Sequence, residues 1–225
     1  PAGWSDLDSA KAWAGRLWKN KSVPVKQILD QLAFEGGFCY TYSASGVLKY
    51  IFAKDSYSSA NHTLDKNDLG PLSISHTSIS NLITDITVNY NPHPAKKEYR
   101  SQATDSDATI RTAYNIGSTE NKATFNLDYN TGSPGGDLDC SSDDPNDGFM
   151  NYYGNLRAEP RVMIKAAVVN PAKFTMEIGD ICTFSSMLPT KAFNKSYSSR
   201  YFMITELARS SGKLSATFID VTKIS

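Results

Sequence analysis

The chain has 225 residues, and its 23 Lys and Arg residues balance its 23 Asp and Glu residues, so the formal net charge at pH 7 is zero. A neutral balance argues against a dedicated nucleic-acid or anionic-membrane surface, and no apolar run is long enough to span a bilayer. We therefore expect no nucleic-acid-specific binding and no stable membrane insertion. The chain begins with Pro1, and we interpret it as a processed chain or a piece of a longer protein.

Two amphipathic helices are predicted at the N-terminus. Ser5 and Asp8 have the spacing of a helix-capping pair, and apolar residues follow at helical intervals as far as Trp18. A second helix is predicted to begin near Pro24 and to end at Gly36-Gly37. Its predicted apolar face consists of Val25, Ile28, Leu29, Leu32 and Ala33.

The next segments predict strands joined by turns. "FCYTYS" and "VLKYIFA" flank the turn "SASG" and predict a hairpin. Residues 55–77 are polar and turn-rich, a helical turn is expected near residues 78–83, and "DITVNYN" predicts a strand that "NPHP" ends. "TIRTAYN" and "ATFNLDY" are further strand candidates, and residues 131–147 are predicted to form a long exposed loop.

The last part of the chain predicts one short helix and then several strands. "FMNYYGNLRAE" fits a helix that Pro160 ends. The predicted strands are "RVMIKAAVV", the two arms of "FTMEIGDICTFSS", "YFMITELA" and "LSATFIDV". The two arms meet at Gly179-Asp180, where we expect a hairpin corner in which Gly179 takes a positive φ and the Asp180 side chain caps the turn.

These elements predict a β-dominated α+β fold with two or three short helices. Because hairpins and loops, not helical crossovers, are predicted to join the strands, we expect antiparallel sheets or small β-barrels. The predicted divisions are N-terminal helices plus hairpin (1–53), a first β-domain (54–130), an exposed acidic loop (131–147), and a helix plus C-terminal β-domain (148–225).

No pattern in the sequence predicts catalysis, a cofactor or a required metal ion. The acidic loop fails the EF-hand pattern, because Ser142 and Gly148 stand where Gly and Glu are needed. A solvated loop is expected there, although an irregular cation site stays open. No phosphate loop, dinucleotide fingerprint or nucleophile elbow is present. Gly179 and Asp180 are therefore singled out only for a turn. The loop carboxylates are Asp137, Asp139, Asp143, Asp144 and Asp147.

The remaining candidate side chains have ordinary structural interpretations. Cys39, Cys140 and Cys182 give no disulfide framework, and the first and last of them are predicted to be buried thiols within strands. The histidines are expected on the surface or in loops. One N-terminal tryptophan is expected in the core and another at a protein contact or a sugar, and the spacing does not decide between these. The residues are His62, His76 and His93, and Trp4, Trp13 and Trp18.

The order of these pieces resembles the tail hub and tail-tip proteins of tailed bacteriophages, the central baseplate hubs that also occur in related contractile injection machines. The segment from Glu177 to Phe184 matches an "l-x-x-G-D-x-v" element near the end of such proteins. The resemblance covers most of residues 24–225, whereas residues 55–77 and 131–147 have no counterpart and are expected to be insertions. The other matching pieces are "VKQILDQLAFEGGFCYTYSASGVLKYIFA", "ITDITVNYN", "YYGNLRAEPRVMIK" and "YFMITELARSSGKLSATFIDV".

The resemblance implies tail-tube-like β-barrels and a structural role without catalytic residues. It implies a homotrimer on the tail axis that joins the tail tube to a central spike or fibre, with distal tail, tape-measure or spike proteins as partners. The expected location is the tail tip of the virion, after assembly in the host cytoplasm. The alternative is a tail-associated carbohydrate-binding or cell-wall-degrading module, because 12 Tyr residues would suit sugar stacking.

Overall fold

A computed structural model describes residues 15–17, 22–54, 57–134, 148–185, 191–192, 195–196, 200–210 and 212–222. The chain divides into two compact units. The first comprises the residues up to Phe52 together with Ile79–Glu159, and the second comprises Ala53–Ser78 together with Pro160–Lys223. The predicted first helix (mostly), the three tryptophans, Cys140 and the acidic positions 137–147 lie outside the described residues.

Over the described residues strands outweigh helices, mainly because of the second unit, which confirms the predicted β-dominated α+β class. The helices are α1 (Val25–Gly36), α2 (Ala108–Tyr114) and α3 (Phe149–Arg157), and 3₁₀ turns cover Ile79–Asn81 and Pro171–Lys173. The strands are β1 (Cys39–Tyr42), β2 (Leu48–Ile51), β3 (His62–Leu64), β4 (Leu69–His76), β5 (Asp85–Pro92), β6 (Tyr99–Ser106), β7 (Lys122–Asn126), β8 (Val162–Val168), β9 (Ile181–Phe184), β10 (Lys191–Ala192), β11 (Lys195–Ser196), β12 (Phe202–Ser210) and β13 (Lys213–Asp220).

The first unit contains the predicted hairpin and a three-stranded sheet. β1 and β2 pair antiparallel, with Tyr40 opposite Tyr50. In the other sheet β5 lies in the centre, antiparallel to β6 and parallel to β7. The core under this sheet includes Ile86, Val88 and Phe149, each at most 1% exposed. The alternation in "DITVNYN" thus predicted both the strand and its buried face.

One strand prediction in this unit is wrong. "TIRTAYN" forms α2 and not a strand, because Asp107 Oδ1 accepts the N–H groups of Thr109 and Ile110 and so caps a helix start. Asn115, with φ +52°, ends the helix. β5 ends at Pro92, within "NPHP", as predicted, and residues 93–98 connect it to β6. Since α2 connects β6 to β7, this sheet contains a helical connection and a parallel pair.

The second unit is a six-stranded sheet in the order β3-β9-β12-β13-β8-β4. Every neighbouring pair is antiparallel except β3 with β9. On β8 alternate residues are buried, as the sequence pattern predicted. Polar residues 55–77, predicted to be turns, supply the two edge strands β3 and β4. The buried core residues of this unit are Leu64, Leu69, Val162, Ile164, Ala166, Val168, Met176, Cys182, Phe184, Phe202, Ile204, Leu214, Ala216 and Phe218.

The first arm of "FTMEIGDICTFSS" is not a strand, so the predicted hairpin around Gly179 is wrong. The Asn170 side chain accepts the N–H of Ala172, and Pro171 begins a 3₁₀ turn, so the chain coils before it reaches Phe174. Met176 is nevertheless fully buried. Regular strand structure begins only at Ile181.

Candidate functional site: an aromatic groove and an apolar patch

Glu35 fixes α1 to the chain that follows β7. Its carboxylate is 4% exposed and accepts the backbone N–H of Tyr129 at 3.0 and 3.1 Å and that of Asn130 at 2.8 Å. Gln31 Nε2 donates to the same carboxylate at 2.8 Å. Burial raises the pKa of the Glu35 carboxyl, and the hydrogen bonds from Gln31 and the backbone oppose that rise. The position of α1 therefore depends on one buried acid.

Sequence reasoning missed Glu35. The sequence feature that could have indicated a buried role for Glu35 is its position in the last turn of an amphipathic helix, directly before Gly36-Gly37. An acid at such a position is exposed in most helices, and only the partner residues 129 and 130, far along the chain, make it a buried acceptor.

A cluster of aromatic rings packs α1, β7 and α3 together. The ring of Phe34 lies 5.4 Å from that of Phe149 and 5.7 Å from that of Tyr153. Gly37 ends α1 with φ +63°, and a Cβ there would lie 2.7 Å from the ring of Tyr152. The end of α1 thus needs glycine both for its backbone conformation and for the close approach of Tyr152.

Beside this cluster lies a groove, here called the aromatic groove, between α1, the start of β1 and α3. Its volume is about 630 Å³. At its rim Lys26 Nζ lies 2.6 Å from Asp30 Oδ2, and the Tyr40 hydroxyl donates to Asp30 Oδ1 at 2.7 Å. These partners hold the pKa of Asp30 below its usual value. The aromatic and apolar lining includes Phe34, Phe38, Tyr152, Tyr153 and Leu156, and Arg157 is at the rim.

Large apolar side chains are exposed on α1 and on the hairpin. Val25, Leu29 and Leu32, spaced as i, i+4 and i+7, form one line on α1 and are 71%, 41% and 38% exposed. Tyr42 and Val47 on the hairpin are 70% and 49% exposed. We call these five residues the apolar patch. Of the apolar face predicted for this helix, only Ala33 is buried.

The two cysteines that the structure describes differ in environment. Cys182 is buried as predicted, and burial raises the pKa of its thiol to about 12, so it stays protonated. Cys39 is exposed, so the prediction of a buried thiol there is wrong. The reason is that β1 belongs to a hairpin of only two strands, which leaves part of its surface uncovered.

Gly179 and Asp180 lie in a turn that is bonded to β12. Gly179 has φ +87°, and its N–H donates to the Ile204 carbonyl at 2.8 Å. Asp180 Oδ2 accepts the Glu177 N–H at 2.8 Å and lies 3.2 Å from His62 Nε2. His62 is thus a half-buried residue of the edge strand β3, whereas a surface or loop position was predicted.

The described residues contain no group of three or more His, Cys, Asp or Glu side chains that could hold a metal ion. The acidic loop, with its predicted choice between a solvated loop and an irregular cation site, lies outside the described residues. No helix in the described part of the chain is long and apolar enough to cross a membrane.

No family model matches the sequence, and no curated protein is similar to it. Solved structures do share the fold. A chain of the virion of a native gene transfer agent particle aligns with a TM-score of 0.56 and 12% identity, over 87% of this chain and 38% of that one. The tail protein from Neisseria meningitidis MC58 aligns with a TM-score of 0.51 and 12% identity, over 92% of this chain and 57% of that one.

The sequence resemblance to phage tail proteins is thus confirmed at the level of the fold. The chain spans 38% of the length of the first of these structures and 57% of the second. At 12% identity these two structures share a fold with this chain, and a shared fold does not establish its position in a particle or its partners.

Proposed function

We propose that this chain is a structural component of a phage tail, placed at the tail tip or baseplate hub, where it joins the tail tube to a central spike or fibre. The observation that carries the proposal is the fold shared with a virion chain and a tail protein at TM-scores of 0.56 and 0.51. We further propose a homotrimer with distal tail, tape-measure or spike proteins as neighbours, assembled in the host cytoplasm. In this role the chain acts through its surfaces and is not an enzyme.

The apolar patch supports a role in assembly. Its five side chains lie on one helix and one hairpin of the same unit. An exposed apolar line along a helix, such as Val25, Leu29 and Leu32, is typical of a contact with another protein. A neutral chain has little electrostatic steering, so such contacts depend on shape and apolar burial.

The test combines location and mass. Antibodies or a tag on the full-length gene product should label purified particles at the distal end of the tail in electron micrographs. Light scattering of the full-length protein should give about three times the monomer mass. Labelling that is absent from particles, or that lies on the capsid, would rule out the tail role; a monomeric protein at the tail tip would rule out only the trimer.

A carbohydrate-binding or cell-wall-degrading module is the second candidate, and the aromatic groove is the observation that favours it. Tyrosine rings beside charged groups are the lining that sugar rings bind, through stacking and hydrogen bonds. Calorimetry with soluble cell-wall glycan fragments should then show saturable binding that Tyr152→Ala abolishes. A glycan-release assay on purified walls separates a binding module from an enzyme.

A further inference from the structure

The outer strand β6 of the three-stranded sheet is long and has neither a proline nor a bulge, so three of the features that protect sheet edges are missing. It has eight residues and no proline, and it pairs with β5 without a register shift. The edges of the six-stranded sheet differ, because β3 has only three residues and β4 contains Pro71 and a register shift. Short strands, prolines and bulges discourage pairing with other chains. β6 pairs only with β5 in the described part of the chain, so its outer backbone edge is suited to accept another strand.

Polar side chains cross the exposed face of this sheet in straight rows from β6 to β7. Gln102 Nε2 donates to Asn89 Oδ1 at 2.9 Å, and Asn89 Nδ2 donates to Asn126 Oδ1 at 2.8 Å. Each end of this row is therefore an amide. The adjacent row consists of threonines alone: Thr104, Thr87 and Thr124.

Two residues beyond the row of amides formed by Gln102, Asn89 and Asn126, β6 and the chain after β7 carry side chains of opposite charge. β6 carries Arg100, which is exposed and forms no ion pair within the described residues, and the chain after β7 carries the exposed Asp128. One carboxylate oxygen of Asp128 accepts the Tyr99 hydroxyl at 2.6 Å, which leaves its other oxygen for a further donor. The side chains at the β6 edge of the sheet are therefore complementary to those at the β7 edge, both in charge and in hydrogen-bonding groups.

The directions of the two edges also fit each other. β6 runs antiparallel to β5 and β7 runs parallel to it, so β6 and β7 run in opposite directions. If β7 of another copy lay beside β6 with the rows continued, Thr104 would face Thr124. Gln102 would face Asn126, and Arg100 would face Asp128. Such cross-strand pairs stabilise antiparallel sheets.

We propose that β6 of one copy of this chain pairs antiparallel with β7 of a second copy, with Thr104 opposite Thr124. The occupant is a second copy because β7 supplies the hydroxyl and the amide, and the chain just after it supplies the acid, in the order that β6 requires. In the described part of the chain β7 pairs only with β5, and residues 15–16 pair with Tyr129 and Asn130, beyond its end. The contact is head-to-tail, so successive copies form a ring if the rotation closes. That the ring closes with three copies rests on the proposed function.

Engineered cysteines test the register directly. Thr104→Cys with Thr124→Cys, in a Cys39→Ser, Cys140→Ser background, should form disulfide-linked dimers and trimers under mild oxidation on non-reducing gels. Within one copy these positions flank Thr87, about 9–10 Å apart across two strand spacings, beyond the reach of a disulfide. The matched control, Ser106→Cys with Asn126→Cys, is four residues out of the proposed register and should stay unlinked.

A blocking substitution gives an independent measurement. Gln102→Lys places a lysine on the edge strand and should reduce the mass in light scattering to that of a monomer, with an unchanged far-UV circular dichroism spectrum. Ala113→Lys, at an exposed position of α2, is the control and should leave the mass unchanged.

The outcomes separate this inference from the proposed function. An oligomer that shows neither the Thr104–Thr124 link nor an effect of Gln102→Lys overturns the β6–β7 contact and leaves the tail role intact. A wild-type protein that stays monomeric and unlinked up to high concentration overturns both the contact and the trimer. The location of the protein on particles tests the tail role separately.

Discussion

The buried carboxylate of Glu35 gives the sharpest test of how α1 is held. Glu35→Ala removes the acceptor for the backbone N–H groups of Tyr129 and Asn130, which are themselves buried. Each buried donor left without an acceptor costs about 1–3 kcal/mol, and partial entry of water reduces the sum, so we expect a loss of about 2–4 kcal/mol in the free energy of unfolding. Urea denaturation measures it. Gln27→Ala, an exposed position on the same helix, should change the stability by less than about 0.5 kcal/mol; equal effects of the two substitutions would refute the proposed anchor.

The pH dependence of the same site has a definite sign. Because burial raises the pKa of Glu35 above its ordinary value of 4.5, the folded protein retains this proton at pH values where the unfolded chain has lost it. Its contribution to the free energy of unfolding therefore falls as the pH rises from about 4.5 through the raised pKa. The destabilisation caused by Glu35→Gln should thus be largest at acidic pH and decrease toward neutrality. A penalty that grows with pH would show that the backbone hydrogen bonds to the carboxylate outweigh its burial.

Three further predictions address the turns and the question of metal. Gly37→Ala should cost about 1–3 kcal/mol, because φ is +63° and the new Cβ meets Tyr152; in a Tyr152→Ala background the steric part of this loss should disappear in urea titrations. Gly179→Val should cost about 1–3 kcal/mol by the same measurement, since φ there is +87°, and full stability would contradict the strained turn. EDTA should leave the melting temperature unchanged in calorimetry, whereas a fall of many degrees would point to a cation at the acidic loop, Asp137–Asp147.

The sequence predicted those elements whose local pattern agrees with their environment in the fold. β8 alternates cleanly because one face lies on the core, and β12 and β13 are neighbours joined by a short turn. The α2 segment misled the prediction because Thr109, Ile110 and Thr112 resemble a strand, while the decisive residue, Asp107, acts through its side chain as a helix cap. Edge strands β3 and β4 were missed because their Ser, Thr and His side chains resemble those of a polar turn region.

The parts of the candidate site that were not predicted depend on contacts between distant residues. Glu35 meets a strand end 94 and 95 residues away, and the bond between His62 and Asp180 spans 118 residues. No local window of sequence contains both members of such a pair. The exposed line Val25, Leu29 and Leu32 was predicted as an apolar face, but whether it is buried within the chain or left on the surface is decided by the packing of the whole unit.

The interleaved order of the two units has a consequence for the kinetics of folding. β3 and β4 lie between the two stretches of the first unit, but their sheet partners β9 and β8 follow only after Glu159. The synthesis of the 85 residues between His76 and Val162 takes on the order of ten seconds at cellular translation rates. By the end of that interval the first unit has all of its chain up to Glu159 available, whereas the early strands of the second unit have waited unpaired throughout it. Long-range pairing of this kind slows folding, so the second unit is expected to set the rate at which newly made chains become competent for assembly.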